Sequence, residues 1–209
     1  MNDLEIRSAY HRRRLARQHR DPDTLVVDEL GLRHGACRAD IAIVNGHLVG
    51  VEIKSDADSL ERLDAQIEGY SSVFDRAVLV TTHKHLEQAI VRVPEWWGVV
   101  RAELGPRGGV DFITVRRTMP NPGVDLYSVA QLLWRTEAAE ILSGLGAKPH
   151  LLRHCRAVLY EQLVSQLTPR ELRRRVRDTM KSRSSWRDPG LPSSSAYSSR
   201  PSARLWDCQ

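Results

Sequence analysis

Asp40, Glu52 and Lys54 fall in the pattern D-x11-E-x-K, and these residue types at this spacing can do chemistry. Two carboxylates brought together make a hard oxygen site suited to Mg²⁺ or Mn²⁺, and the backbone carbonyl of Ile53, between the acid and the lysine, is a natural further ligand. Lys54 would contact the attacking water or the substrate phosphate and stabilise negative charge developing at phosphorus. The combination suits metal-dependent hydrolysis of a phosphodiester. Taken alone the pattern is common on half-exposed strands, so its weight depends on the elements that carry it.

Those elements are legible from periodicity. Asp40, Ala42 and Val44 alternate onto one face of a strand, and Gly50, Glu52 and Lys54 onto one face of the next, with Ile41, Ile43, Val49, Val51 and Ile53 opposite. Asn45-Gly46 between them predicts a hairpin closed by a type I′ turn, which brings Asp40 towards Glu52 and Lys54. Upstream, residues 3 to about 19 read as a helix that ends at Asp21-Pro22-Asp23, followed by a short strand over 25–30 and a loop. Downstream, residues 55–59 are rich in capping types. The helix beyond them carries Leu60, Leu63, Ile67, Tyr70 and Phe74 as an apolar stripe, with Arg62, Gln66 and Tyr70 in a column at four-residue steps. The apolar run 77–80 predicts a central strand buried on both faces, and the helix after it predicts parallel pairing of its flanking strands.

The order helix, strand, strand, strand, helix, strand over residues 3–82 resembles the αβββαβ core of the PD-(D/E)XK nuclease superfamily, whose members carry Asp and Glu/Asp-x-Lys on adjacent strands. Gln66 to Tyr70 resembles the Q-x-x-x-Y motif of the RecB-like branch, where the helix borders the active site and contacts DNA. The Lys54 to Leu63 stretch with Trp96-Trp97-Gly98 is similar to a little-characterised bacterial branch, extending the resemblance to about residue 100. The resemblance implies an α/β, restriction-endonuclease-like fold with a mixed central sheet and a DNA substrate. It makes Asp40 and Glu52 the metal ligands, Lys54 the residue assisting the attacking water, and Gln66, Tyr70 and Arg62 the substrate-binding residues. Ala39 stands where the motif's name has proline. The additional acid that the superfamily often supplies is Glu29 or Glu5.

Residues 94–100 lead into another strand, a turn at 105–109 brings it back into one over 110–115, and the paired tryptophans at 96–97 read as core or rim packing. Beyond a Pro- and Gly-rich linker the chain turns to helices only, predicted at 127–142, 151–167 and from Thr168, a cap with Pro169 in the first turn. The organisation is therefore a nuclease-like core at 1–118, a helical region at 124–181 and a disordered Ser/Arg-rich tail at 182–209.

The formal net charge of +5 hides an asymmetry, because the whole basic excess lies in residues 170–209. A second cluster, Arg12, Arg13, Arg14, Arg17 and Arg20, opens the chain. Such clusters suit a polyanion, though solvated basic surfaces are the commoner case. No apolar run is long enough for a bilayer and the N-terminal residues lack a secretory signal, so the expectation is cytoplasmic, with DNA as partner and a homodimer as a further one. The odd cysteine count, Cys37, Cys155 and Cys208, lacks metal-type spacing and reads as free thiols. A second function class stays open: a catalytically silent module that keeps the fold and binds DNA or a protein partner through its helices and basic tail.

Overall fold

In a computed structural model, described for residues 1–183 and Trp186, the chain is a mixed α/β protein with a six-stranded sheet in the order β1-β2-β3-β4-β5-β6. The strands are β1 Leu25–Leu32, β2 Cys37–Val44, β3 Leu48–Lys54, β4 Arg76–Thr82, β5 Gly98–Leu104 and β6 Val110–Arg116. β1, β2 and β3 run antiparallel in turn, β3, β4 and β5 are parallel, and β6 returns antiparallel. The described residues also form α1 Asp3–Arg13, α2 Leu63–Val73, α3 His83–Ile90, α4 Leu126–Ala130, α5 Arg135–Gly144, α6 Arg156–Gln166 and α7 Pro169–Ser182.

Helices cover both faces, which is why β4 carries the unbroken apolar run over residues 77–80. On one face, Ile6, Ala9 and Tyr10 of α1 and Leu15 beyond it pack on Ile41, Ile43, Val51, Ile53 and Val80. On the other, Leu63, Tyr70 and Val73 of α2 share a cluster with Ala42, Val44, Leu79 and Trp97 that continues through Leu142, Leu163 and Val176 of the C-terminal helices. Trp96 and Trp97 are buried in it, as expected for packing residues. α7 turns its Leu172, Val176 and Met180 inward, and its Arg173 bonds Asp75 at the end of α2 at 3.2 Å. Its C-terminal end is fastened where the buried Arg183 pairs with Glu137 of α5 and lies between the rings of Trp134 and Trp186, 4.3 and 4.2 Å from their centroids.

Several local expectations are corrected. The β2–β3 connection is a three-residue loop, since Val44 pairs with Leu48, and neither Asn45 nor Gly46 has positive φ. The turn is not type I′ because the Asn45 side chain closes it instead, accepting from His47 N–H at 3.0 Å. α1 stops at Arg13, six residues early, with a short 3₁₀ turn at Gln18–Arg20. α2 starts at Leu63 with Arg62 as an N-cap that makes no side-chain cap bond. Asp58 ties back to Ser55 N–H and Oγ, and Asp56 accepts from Thr82, so these acids brace the loop before α2. The helix expected at 127–142 is broken into α4 and α5. Cys37 is free, but Cys155 is disulfide-bonded: an odd count excludes only complete pairing. The tail called disordered lies outside the described residues from 184 on, Trp186 apart.

Candidate active site

β3 delivers its residues as alternation requires. Gly50, Glu52 and Lys54 follow one another on the α2 side, and Gly50 has no room for a side chain: a Cβ there would meet Phe74 ring carbons at 2.5 Å and Tyr70 Cδ1 at 2.8 Å. That closeness lets α2 lie low over β3 and brings two of its residues to Glu52. Tyr70 Oη donates to Glu52 Oε2 at 2.7 Å and lies 3.0 Å from the Val51 carbonyl; Gln66 Nε2 donates to Glu52 Oε1 at 2.5 Å. Lys54 Nζ donates to the same Oε1 at 2.8 Å. Glu52 and Lys54 are 1% and 4% exposed, so the pair is interior and not the solvated sheet edge that would make it ornamental.

Asp40 arrives differently. On β1 and β2 the residues facing α2 are Leu25, Val27, Leu30, Leu32 and Ala39, Ala42, Val44, so each strand skips a step in its alternation, between 27 and 30 and between 39 and 42. The skips face each other. Glu29, at φ 58°, stands opposite Asp40 in a register that runs Asp28↔Ile41 on one side and Leu30↔Ala39 on the other. A glutamate in the left-handed region is strained by about 1–3 kcal/mol. As a result Asp40 does not share a face with Ala42 and Val44, as alternation predicted.

β2 and β3 also part at this point, their pairing ending at Ile41↔Val51. Side chains replace the missing ladder bonds. Asp40 Oδ2 accepts from Ile53 N–H at 2.7 Å, and Asp40 N–H donates to Tyr70 Oη at 3.2 Å. One hydroxyl thus links the Asp40 main chain to the Glu52 carboxylate. Ile53 enters through its amide; the sequence pointed to its carbonyl.

Arg7, on α1, completes the Asp40 side, a residue that the sequence did not single out. Its Nη1 donates to the Asp40 carbonyl at 2.9 Å and pairs with Glu29 Oε1 at 2.7 Å, while Nη2 reaches Asp40 Oδ1 at 3.2 Å and Nε reaches Asp3 at 3.2 Å. Arg38 pairs with the other oxygen of Glu29. The only local signal was the Asp3–Arg7 four-residue step, which helices use routinely. Of the remaining expected residues, Glu29 is brought to Asp40 through Arg7, and Glu5 is spent in the capping box of α1 with Asn2. Arg62 is exposed at the start of α2 and does not join Gln66 and Tyr70 at the carboxylates.

Burial, then the neighbouring charge of Glu52, pushes the Asp40 carboxyl up to about 7, against the pull of the Ile53 amide and Arg7. Burial also raises Glu52, with Lys54 opposing it. The Tyr70 hydroxyl is driven well above its ordinary range by burial and by the charge of Glu52. Both carboxyls are raised by burial, Asp40 further by the charge of Glu52, so the cations around them under-compensate the pair, and Gln66 Oε1 is buried beside them without a hydrogen-bond partner among the described residues. An oxygen donor set short of positive charge fits Mg²⁺ or Mn²⁺. Among the described residues no three or more His, Cys, Asp or Glu side chains are gathered to hold a metal ion, so the acids that could hold one here are the Asp40–Glu52 pair.

The fold and site define a mixed α/β protein with a buried acid–lysine pair at a split between two strands. The chain belongs to the family of bacteriophage P4 protein cII, whose family model matches residues 11–192. It is 29% identical over 163 residues to protein cII of Enterobacteria phage P4, a match covering 77% of this chain and 60% of that protein, so this chain spans less than two thirds of that relative's length. Among solved structures it is similar to the SPO1766 protein of unknown function from Silicibacter pomeroyi, at 22% identity and a TM-score of 0.40, over 63% of this chain and 86% of that one. No helix among the described residues is long and apolar enough to cross a membrane.

Proposed function

We propose that the chain is a metal-dependent nuclease hydrolysing DNA phosphodiester bonds, built on a restriction-endonuclease-like αβββαβ core within residues 1–118. The observation that carries the reading is the burial of Glu52 and Lys54 as a 2.8 Å pair, with Gln66 and Tyr70 of α2 both on the same carboxylate. An interior lysine held against an acid needs a reason beyond solubility, and phosphoryl chemistry supplies one. Asp40 and Glu52 would hold Mg²⁺ or Mn²⁺, with the Ile53 carbonyl as a further oxygen, while Glu29, paired with Arg7 and Arg38, stays outside the donor set. The bound ion would supply Lewis acidity at the phosphate. Lys54 presents its ammonium to the attacking water and to charge developing at phosphorus. Tyr70 and Gln66 fix the rotamer of Glu52 and so position the acid, a narrower role than direct substrate binding. Arg62, exposed at the start of α2, is left for the phosphate backbone, and Arg170 is a second exposed arginine, on α7. Self-association into a homodimer is a further proposal, read by sedimentation of the full chain.

The test is incubation of the full chain with supercoiled, linear and single-stranded DNA, and with RNA, in Mg²⁺ or in chelator. Metal-dependent cleavage that Lys54→Ala and Asp40→Ala abolish is the expected result. Cleavage that is absent under every condition, or unchanged in both variants, sinks the assignment.

A second reading rests on a different observation: every carboxylate oxygen of Asp40 and Glu52 already has a protein donor. Such a self-satisfied network suits a catalytically silent module that binds DNA or a protein. Salt-sensitive DNA binding without cleavage, weakened by Arg62→Gln and Arg170→Gln, favours it. Deleting residues 170–209 is not a clean alternative, because it removes Leu172, Val176 and Met180 from the core.

A further inference from the structure

We infer that Arg7 is a built-in cation that competes with the divalent metal for Asp40, so that metal binding requires its guanidinium to withdraw onto Glu29 and Asp3. This deepens the nuclease reading and rests on the metal site proposed there. The contacts give the reason. Arg7 uses Nη1 and Nη2 on the carbonyl and Oδ1 of Asp40, at 2.9 and 3.2 Å, and only 12% of its side chain is exposed. A divalent ion bound to Asp40 would sit about 2.0–2.1 Å from a carboxylate oxygen, which places two positive centres on one small group in a low-dielectric interior. They cannot both be held there at full strength.

The same guanidinium has a second seat already made. Glu29 Oε1 already lies 2.7 Å from Nη1 and Asp3 3.2 Å from Nε, so the guanidinium can give up Asp40 alone and keep both. Glu29 faces Asp40 across the β1–β2 register in a left-handed backbone conformation, so the strand is bent where this seat is offered. Strain at one strand residue is most readily understood when that residue's placement is used. Arg38 on the other Glu29 oxygen holds the acid in place when Arg7 leaves Asp40. Metal-free protein then shares Arg7 between Asp40 and Glu29, and metal-bound protein leaves it on Glu29 and Asp3 alone, while the helix stays.

The experiment is titration of full-length protein with Mn²⁺ alone, followed by the electron paramagnetic resonance of free Mn²⁺, on wild type, Arg7→Met, Arg7→Lys, Glu29→Gln and the Arg7→Met/Glu29→Gln pair. Circular dichroism confirms that each variant is folded. Arg7→Met should bind Mn²⁺ about tenfold more tightly than wild type, within the range of competing ligand couplings. Arg7→Lys, whose point charge cannot span both acids, should fall between them. Glu29→Gln should weaken binding by taking away the second seat, and should have no effect once Arg7 is Met. If Glu29→Gln still weakens binding in the Arg7→Met background, Glu29 is a ligand and the seat is refuted. Wild-type binding that Arg7→Met leaves unchanged or weaker overturns the competition. Should Arg7→Met fail to fold, Arg7→Lys binding no tighter than wild type overturns it equally. Absence of Mn²⁺ binding in wild type and every folded variant overturns the metal site itself, a failure distinct from that of the Arg7 inference.

Discussion

Glu52 and Asp40 stand at one strand split but are held by opposite kinds of structure. Glu52 is gripped by Lys54 from its own strand and by Gln66 and Tyr70 from one helix, all produced by short-range periodicity. Asp40 is gripped by an arginine thirty-three residues away and by an amide exposed where two strands diverge. The first half is rigid because its partners are anchored by the core. The second can rearrange, because its main cation is a long side chain with several acids in reach. On the proposed metal reading, one fixed acid and one adjustable acid would let the site admit an ion without losing its frame.

The comparison breaks most easily at the rigid half. Lys54→Met leaves Glu52 buried without its charged partner and should cost about 3–5 kcal/mol at pH 7 in urea unfolding with chelator present. Adding Glu52→Gln should restore most of that loss; a Lys54→Met protein as stable as wild type would mean the pair is not interior. Gly50→Ala comes next, at about 3 kcal/mol, since its methyl must displace the Phe74 and Tyr70 rings. Tyr70→Phe should cost about 2 kcal/mol, because it strands both Asp40 N–H and an oxygen of Glu52.

The adjustable half should show itself through pH. The folded Asp40 carboxyl, pushed up to about 7, binds its proton more tightly than the unfolded one, with an ordinary value of 3.8. Protonation therefore favours the folded state: its contribution is complete below the unfolded value and is lost as pH rises through about 7. Metal-free wild type should lose stability between pH 5 and 8, on the order of 1 kcal/mol or more, whereas Asp40→Asn should be flatter and more stable at pH 8. Parallel melting curves for the two proteins across this range would remove Asp40 as the adjustable acid.

Much of the rigid half was legible in the sequence. The Gly50, Glu52, Lys54 face and the four-residue step from Gln66 to Tyr70 are local patterns, and they land together because α2 follows β3 directly. The face of Asp40 was misjudged because nothing in the letters marks Glu29 as a left-handed residue; glycine would have, and glutamate does not. Arg7 was missed for a related reason. Its partners on β1 and β2 are distant in sequence, and its role exists only once α1 has docked. The C-terminal helices were visible by periodicity, but their sharing a core with the sheet was not, since burial partners across a linker leave no local trace.

The guanidinium of Arg183, stacked between two indoles and paired with Glu137, has a practical consequence. Trp134 and Trp186 sit in an environment unlike that of Trp96 and Trp97, so the chain carries an optical gauge of its own. Lifting the end of α7 would unstack Trp134 and Trp186 from the guanidinium while leaving Trp96 and Trp97 buried in the core. Fluorescence recorded during unfolding or DNA titration would then separate release of this latch from loss of the sheet.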